Sequence, residues 1–159
     1  MKWGIGCLAN NITPYTAETL TQLIQESIPL SEAMHFSIAE LTDQSIVVAA
    51  PLSPNINVHG TGFAGSLYSL AALSAWSLTT HLIGQTDIHA DVVMARAEIR
   101  YRRPVQSEIR CYCSCLPAAS KSFLQQLSRK GRARISLLVE VGESADVVFS
   151  ATMIASQKA

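Results

Sequence analysis

The sequence predicts an α+β fold in which one long helix is wrapped by a curled antiparallel β-sheet. The first observation is that residues 60–86 contain no Asp, Glu, Lys or Arg. The second is that six strand-like segments flank this stretch, two before it and four after it. Because only one long helix interrupts the strands, the pattern differs from the regular alternation of strands and helices that builds a parallel sheet. A chain of 159 residues has the length of one domain, so we expect a single domain over residues 1–159.

The individual elements follow from periodicity and turn residues. Leu20, Leu23 and Ile24 have the spacing of an amphipathic helix, whereas Ile99 and Tyr101 alternate with charged residues as in a half-buried strand. The segment 117–131 is polar, and we expect a loop with a short helical turn there. The predicted elements in chain order are a helix at 16–28, strands at 34–41 and 45–52, the long helix within 60–86, and strands at 88–103, 108–116, 132–141 and 147–155.

The uncharged stretch is long enough to be considered as a membrane span. Seven serine and threonine residues between Thr61 and Thr80, followed by His81, argue against a membrane span, as does the lack of a basic residue before Asp87. A helix that is apolar on all sides is expected at the centre of a fold instead. Since 20 helical residues extend about 30 Å, only a large wrapping sheet could cover it.

Composition and charge limit the function classes. The chain is 48% hydrophobic and 15% charged, which is typical of a globular protein and favours an oligomer. The formal net charge is zero and the pI is near 6.9, so neither nucleic acid nor a membrane surface is an expected partner. Residues 1–95 carry one basic and seven acidic residues, whereas 96–159 carry eleven basic and five acidic ones. Five of the arginines fall within 96–110, where they could contact phosphates or form a solvated face.

The four cysteines predict neither disulfides nor a metal site. Cys111, Cys113 and Cys115 alternate along one predicted strand, so their side chains share one face at intervals of about 6.5–7 Å. That spacing is too long for mutual disulfides and poorly suited to a tetrahedral metal. We expect reduced, packed thiols, Cys7 included, in a cytoplasmic protein. The apolar run at the N-terminus is too short for a secretory signal.

Residues 55–67 are the most informative passage for chemistry. Polar residues and three glycines stand at the entry to the apolar helix. Glycine lets a backbone approach a ligand closely, and the free N–H groups of a helix N-terminus favour negative charge. The amide of Asn57 and the N–H of Gly65 could together hold the oxygen of a thioester under attack. Alternatively, the glycines serve only to let the chain enter a crowded helix.

The pattern Asn57-x-His59-Gly60-Thr61-x-Phe63-x-Gly65-Ser66-Leu67-Tyr68, followed by Tyr101-Arg102-Arg103-Pro104-Val105, resembles a known family. It is similar to the thioesterase domain at the C-terminus of YiiD-type acetyltransferases, a branch of the hotdog thioesterases. The resemblance spans nearly the whole chain. It implies a hotdog fold and a homodimer whose two sheets are continuous, or a tetramer. It also implies substrates with an acyl group on coenzyme A or acyl carrier protein, so that coenzyme A or phosphopantetheine enters only as part of the substrate and no separate cofactor is needed.

The resemblance also assigns the reacting groups. Asn57 falls where hotdog thioesterases place an Asn or Gln near the thioester carbonyl. Fifteen residues on, where they often carry an Asp or Glu, this chain has Ala72. The nucleophile would then be a water positioned by Asn57, His59 or Ser66, or a group from the partner subunit. The catalytic candidates are therefore Asn57, His59, Gly65 and Ser66.

The substrate-binding candidates surround the same passage. Phe63 and Tyr68 could line an acyl pocket or belong to the core. Arg102 and Arg103 could contact phosphates or form an ion pair with Glu98, Glu108 or a neighbouring residue. Gly60 and Thr61 complete the set of candidates.

We therefore expect an acyl thioesterase, with a non-catalytic acyl-binding module as the alternative that Ala72 favours. A hotdog dehydratase is a poor match, since no acid lies between His59 and Asp87.

Overall fold

The computed structural model describes residues 14–158, which form one sheet curled around one long helix. The elements in chain order are α1 (Ala17–Ser27), α2 (Pro29–Ala33), β1 (Ser37–Thr42), β2 (Ser45–Ala50), a 3-10 turn (Ser53–Asn55), α3 (Ala64–Gly84), β3 (Ala90–Tyr101), β4 (Ile109–Ser114), α4 (Pro117–Lys130), β5 (Arg132–Val141) and β6 (Val147–Gln157). The sheet order is β1-β2-β4-β5-β6-β3, and every neighbouring pair is antiparallel. This is the predicted hotdog architecture, so the fold class is confirmed.

Helix α3 is the central element of the core. It packs against five of the six strands, and side chains such as Leu70 and Leu78 are fully buried. Three of its buried hydroxyl groups are satisfied within the helix, because Ser74, Ser77 and Thr79 each donate to the carbonyl one turn earlier at 2.6–2.8 Å. The buried hydroxyl of Thr80 has no hydrogen-bond partner among the described residues. No helix in residues 14–158 has both the length and the apolarity that crossing a membrane requires.

The prediction of a loop over residues 117–131 is wrong, because the segment forms the 14-residue helix α4. Pro117 occupies the first helical position, where its missing N–H costs nothing. Phe123 and Leu127 are buried one turn apart and face the sheet, and Gly131 ends the helix in the left-handed conformation with φ of 66°. The polar residues that suggested a loop are the solvent-facing side of an amphipathic helix.

The other predicted boundaries differ only at their ends. Strand β1 begins at Ser37 rather than at residue 34, because Met34 follows the short helix α2 and His35 turns the chain with φ of 55°. The later strands agree with their predicted limits to within two residues.

The cysteine prediction is confirmed for the three residues that the structure describes. Cys111, Cys113 and Cys115 all face the core and are reduced. Burial raises the pKa of both Cys111 and Cys113 to about 12, so these thiols stay protonated and unreactive at neutral pH. Cys7 lies outside the described residues.

His81 is a buried titratable group near the end of α3. Its side chain is 3% exposed, and neither ring nitrogen has a hydrogen-bond partner among the described residues. Burial lowers the pKa of His81 from its ordinary value of 6.5, and the nearby Thr42 carbonyl and Asp43 carboxylate offset only part of this effect. The folded protein therefore holds this imidazole neutral where the unfolded chain would already bind a proton.

The stability of the fold should consequently fall as the pH drops through 6.5 towards the lower folded-state pKa. In this window the unfolded state binds one more proton, which removes up to about 1.4 kcal/mol per pH unit. The free energy of unfolding in urea, measured at pH 7.5, 6.5 and 5.5, tests this prediction. Its slope against pH should be smaller in His81→Leu than in wild type. His89→Leu, at an exposed position, should leave the slope unchanged. A slope that is the same in wild type and His81→Leu would refute this prediction.

Candidate active site

The loop before α3 is organised by the side chain of Asn57. Its Oδ1 accepts from the N–H of His59 at 2.8 Å and of Thr61 at 3.2 Å, and its Nδ2 donates to Thr61 Oγ1 at 2.9 Å and to the Gly62 carbonyl at 3.4 Å. The backbone N–H of Asn57 also donates to the Thr61 carbonyl at 2.8 Å. The amide is therefore fully engaged within its own loop. Its predicted contact with a thioester stays a prediction, and would require at least one of these bonds to break.

Asn55 anchors the same loop to the core, a role that the sequence analysis missed. The side chain is 1% exposed, and its Nδ2 donates to the carbonyls of Met34 and Pro51, both at 2.9 Å. The backbone carbonyl of Asn55 accepts from the N–H of Phe63 at 2.7 Å, whereas its side-chain Oδ1 has no partner among the described residues. On the other side of the loop, the N–H of Gly62 donates to the carbonyl of buried Val105 at 2.8 Å. The start of α3 is thus fixed from both sides.

The first turn of α3 presents uncompensated backbone donors. Phe63 is the N-cap residue and offers no side-chain hydrogen bond, and the turn contains no acidic residue. The first N–H with a partner is that of Leu67, so those of Ala64, Gly65 and Ser66 have none among residues 14–158. Free N–H groups at a helix N-terminus carry partial positive charge. The turn can therefore stabilise an oxyanion.

The ring of Phe63 lies over this turn. It is 51% exposed, which excludes the core reading that the sequence left open. A Cβ at Gly65 would stand 2.5 Å from Cε1 of Phe63, so only glycine lets the ring pack this closely. The ring thus forms an apolar wall beside the free N–H groups.

Tyr101, the last residue of β3, also reaches this turn, and the sequence analysis gave it no role. Its hydroxyl donates to the carbonyl of Ala64 at 2.9 Å, and its side chain is half exposed. The sequence signal for this residue is its position in the Tyr-Arg-Arg-Pro-Val segment, directly before the two candidate arginines.

The structure brings most of the other predicted residues to the same end of α3. Ser66 is half-buried in the first turn, His59 is exposed at the loop, and Gly60 forms the turn beside Thr61. Tyr68 is half-buried and packs edge-on against Phe149 at 5.1 Å between ring centroids, so its ring belongs partly to the core.

The two arginines at the end of β3 differ from each other. Nε of Arg103 lies 3.0 Å from Oδ1 of Asp146, and its guanidinium also donates to the Ser144 carbonyl. Arg103 thus forms the ion pair that the sequence left open, with the neighbouring Asp146 rather than with Glu98 or Glu108. Arg102 is exposed and has no ion-pair partner in the described part of the chain.

The chemistry of the site is limited because α3 has no acidic side chain. The helix carries no carboxylate, and the position expected for one is the half-buried Ala72. Within residues 14–158, no three His, Cys, Asp or Glu side chains are grouped so that they could hold a metal ion. The residues on this end of the helix supply hydrogen-bond donors, an imidazole and a hydroxyl.

Comparisons with known proteins show the family and the fold. The profile of a family described as "Putative thioesterase (yiiD_Cterm)" matches residues 17–154. A solved structure of a "putative thioesterase" from Shewanella oneidensis is 30% identical, with 88% of this chain and 96% of that chain covered and a TM-score of 0.80. A protein of unknown function from Chlorobaculum tepidum is 27% identical, with 89% and 94% covered and a TM-score of 0.85. A "probable thioesterase" from Pseudomonas aeruginosa, 20% identical with 93% and 100% covered and a TM-score of 0.79, shares the fold.

Replacing Asn57 by Ala should destabilise the protein by about 2 kcal/mol, because it leaves the loop N–H groups of His59 and Thr61 without their acceptor. Urea unfolding measures the loss. Asn57→Asp keeps both acceptor bonds and should cost clearly less. A loss below about 0.5 kcal/mol for Asn57→Ala, the size of an ordinary surface substitution, would show that the side chain does not organise the loop.

Proposed function

The chain belongs to the YiiD C-terminal thioesterase family, and we propose that it hydrolyses acyl thioesters of coenzyme A or acyl carrier protein at the N-terminus of α3. The observation that carries the proposal is the first helical turn, where three backbone N–H groups without a partner in residues 14–158 lie beside a half-exposed aromatic ring. Thioester hydrolysis needs such donors, because attack on the carbonyl carbon places negative charge on its oxygen.

The reaction at this site follows from the groups at the helix end. A water molecule adds to the carbonyl carbon, and the N–H of Gly65 with its neighbours holds the resulting oxyanion. The oxyanion then collapses, the carbon–sulfur bond breaks, and the thiolate leaves and takes up a proton. We assign the orientation of the water to His59 and Ser66, and the acceptance of its proton to the imidazole of His59, which then gives the proton to the leaving thiolate. Asn57 holds the loop in shape for both.

Arg102 is suited to bind the phosphates of the carrier. It is exposed at the end of β3 without an ion-pair partner in residues 14–158, whereas Arg103 is held by Asp146. A free guanidinium next to the site can bind a phosphate oxygen without first breaking an ion pair.

A non-catalytic acyl-binding module is the second candidate, and Ala72 is the observation that favours it. With no carboxylate on α3, the site lacks the group that would activate water most strongly. A protein of this kind would bind acyl-coenzyme A tightly and release no thiol.

The exposed edge of β3 supports a homodimer. The N–H of Lys158 donates to the carbonyl of His89 at 3.0 Å, in register with the β3–β6 ladder. Because bonded and non-bonded pairs alternate along an antiparallel ladder, the backbone groups of Ala90, Val92 and Met94 point away from β6. No strand covers this edge in the part of the chain that the structure describes.

Such an edge can pair with a second strand through Ala90 and Met94, whereas the carbonyl of Val92 already accepts from Nε1 of Trp76 at 3.0 Å. It is 12 residues long and lacks proline, and two apolar side chains are exposed on it, Val93 at 57% and Met94 at 37%. Long apolar edges are normally covered in stable proteins. Pairing of β3 with its copy would make one continuous sheet through both subunits.

The hydrolase proposal is tested with purified protein, a panel of acyl-coenzyme A and acyl-carrier-protein substrates of increasing chain length, and a thiol-specific dye. We expect free thiol to be released with at least one substrate. No release above the uncatalysed rate with any of them, together with binding of acyl-coenzyme A by calorimetry, would select the binding module instead.

A matched pair of variants tests whether the backbone N–H of Gly65 is a donor to the oxyanion. Both Gly65→Ala and Gly65→Pro add a Cβ that displaces Phe63, but only proline removes the N–H, and the first helical turn tolerates proline. Thiol release by Gly65→Pro should be about 100-fold or more slower than by Gly65→Ala. Equal rates for two folded variants would remove Gly65 from the oxyanion site.

Light scattering at micromolar concentration should give twice the chain mass of 17.2 kDa, or a multiple of that dimer. Met94→Lys should shift the protein towards monomer, because it places a charge on the pairing edge. Tyr112→Lys is the control, since Tyr112 has the same exposure of 37% but lies on β4. A monomeric wild type would refute the dimer.

A further inference from the structure

We propose that the turn between α4 and β5, residues 129–134, is a docking surface for a carrier protein with an acidic surface. The inference rests on the proposed hydrolase function and names the carrier of its substrate. That carrier is a protein with the thioester at the end of a phosphopantetheine arm, in preference to free coenzyme A.

The turn concentrates positive charge. Four of its six residues are basic, in the order Arg129-Lys130-Gly131-Arg132-Ala133-Arg134. No Asp or Glu occurs in residues 109–139. The four basic side chains are exposed, and none lies within ion-pair distance of an acid in residues 14–158, where the five ion pairs are formed by other basic residues. The cluster is therefore free to bind an anionic partner.

The acid that lies in the same row of the sheet does not neutralise the cluster. Arg132 pairs with Ser156, and Ser156 pairs with Asp91, so these three residues form one row across β5, β6 and β3. The Asp91 carboxylate already binds Nζ of Lys158 at 3.0 Å. The charge of the row therefore stays positive.

Stabilisation of a helix end explains only half of the cluster. Arg129 and Lys130 lie in the last turn of α4, where positive charge is favoured by the negative end of the helix dipole. Arg132 and Arg134 lie on β5 and face solvent, since the alternate residues of that strand are buried. The two arginines on the strand thus need another explanation.

The backbone places the turn at the end of the sheet where β3 begins. The N–H of Gln157 donates to the Gly131 carbonyl at 2.8 Å, and that of Lys158 donates to the His89 carbonyl at 3.0 Å. From there β3 runs to Tyr101, beside the first turn of α3. Since the 21 residues of α3 extend about 30 Å, the turn is far from the first turn of α3 in its own subunit.

Antiparallel pairing of β3 with its copy, as in the proposed dimer, reverses this relation. The start of one β3 then lies beside the end of the other. The turn of one subunit therefore stands near the first turn of α3 in the other subunit, where the exposed Arg102 follows the end of β3. A carrier protein docked on the turn can present its phosphopantetheine arm to that site, with the phosphate at Arg102.

The shape of the turn favours a protein over a small ligand. Two depressions on the described surface, of about 520 and 410 Å³, are lined by residues other than these four cations, whereas small-molecule sites are concave. Complementary charge outside a pocket steers and orients protein partners. The chain has 12 acidic and 12 basic residues, which argues against a longer polyanion such as nucleic acid.

The kinetic test compares one acyl group on acyl carrier protein and on coenzyme A. In Arg132→Glu and in Arg134→Glu, KM for the carrier-protein substrate should rise about fivefold or more with kcat unchanged, because an attractive charge becomes repulsive. Both constants for acyl-coenzyme A should stay within about twofold of wild type, as for an ordinary surface substitution. An unchanged KM for the carrier-protein substrate in both variants would overturn the proposal.

Lys121→Glu is the matched control. It makes the same change of charge at an exposed position of α4 outside the turn. Its kinetics with both substrates should match those of wild type. A rise in KM for the carrier-protein substrate as large as that of Arg132→Glu would show an effect of net charge alone and overturn the proposal.

A second measurement does not depend on turnover. Acyl carrier protein without its phosphopantetheine arm can bind only through its surface. Fluorescence anisotropy should show that it binds wild type and Lys121→Glu, and that binding weakens as the salt concentration rises. Binding to Arg132→Glu should be about fivefold or more weaker. Binding of duplex DNA or of anionic vesicles without binding of the carrier protein would overturn the proposal.

The outcomes separate the two proposals. If wild type releases no thiol but binds the carrier protein more tightly than Arg132→Glu does, hydrolysis fails and the docking surface stands. If wild type hydrolyses acyl-coenzyme A and the carrier protein binds wild type and Arg132→Glu equally, the docking surface fails and hydrolysis stands. A wild type that neither releases thiol nor binds the carrier protein overturns both.

Discussion

The burial of α3 is the constraint on which the rest of the structure depends. The helix is apolar on all sides and contacts five of the six strands, so it is stable only inside the sheet. Its hydroxyl side chains can share that environment because Ser74, Ser77 and Thr79 donate to carbonyls of the helix itself. Burial of a helix along its length leaves its ends as the places where it can meet a ligand.

The two ends of α3 are used differently. At the C-terminal end, His81 is held neutral in the core. At the N-terminal end, Asn55 and Asn57 tie down the entering chain through hydrogen bonds, so the first turn is fixed although it has no cap. An uncapped turn that is held rigidly by its surroundings is preorganised for a developing negative charge. The same packing that stabilises the fold therefore positions the donors.

The sequence predicts the fold well because the spacing of apolar residues and the uncharged stretch both indicate which side chains are buried. The failure at α4 arose because a polar helix and a loop share a composition, and only the spacing of Phe123 and Leu127 separates them. The location of the candidate site was also predictable from the glycines before α3. The engagement of Asn57 within its loop and the reach of Tyr101 to Ala64 depend on how distant segments meet, which no local pattern encodes.

The most direct test of the account is a crystal structure of the protein with a non-hydrolysable acyl-coenzyme A analogue. We predict that the carbonyl oxygen lies within about 3.2 Å of the backbone nitrogen of Gly65, with the Phe63 ring beside it. The main competing location is a groove of about 520 Å³ between α4 and the segment before β3, lined by Ile88, Lys121 and Leu124. A carbonyl bound in that groove, or anywhere away from the first turn of α3, would contradict the central claim.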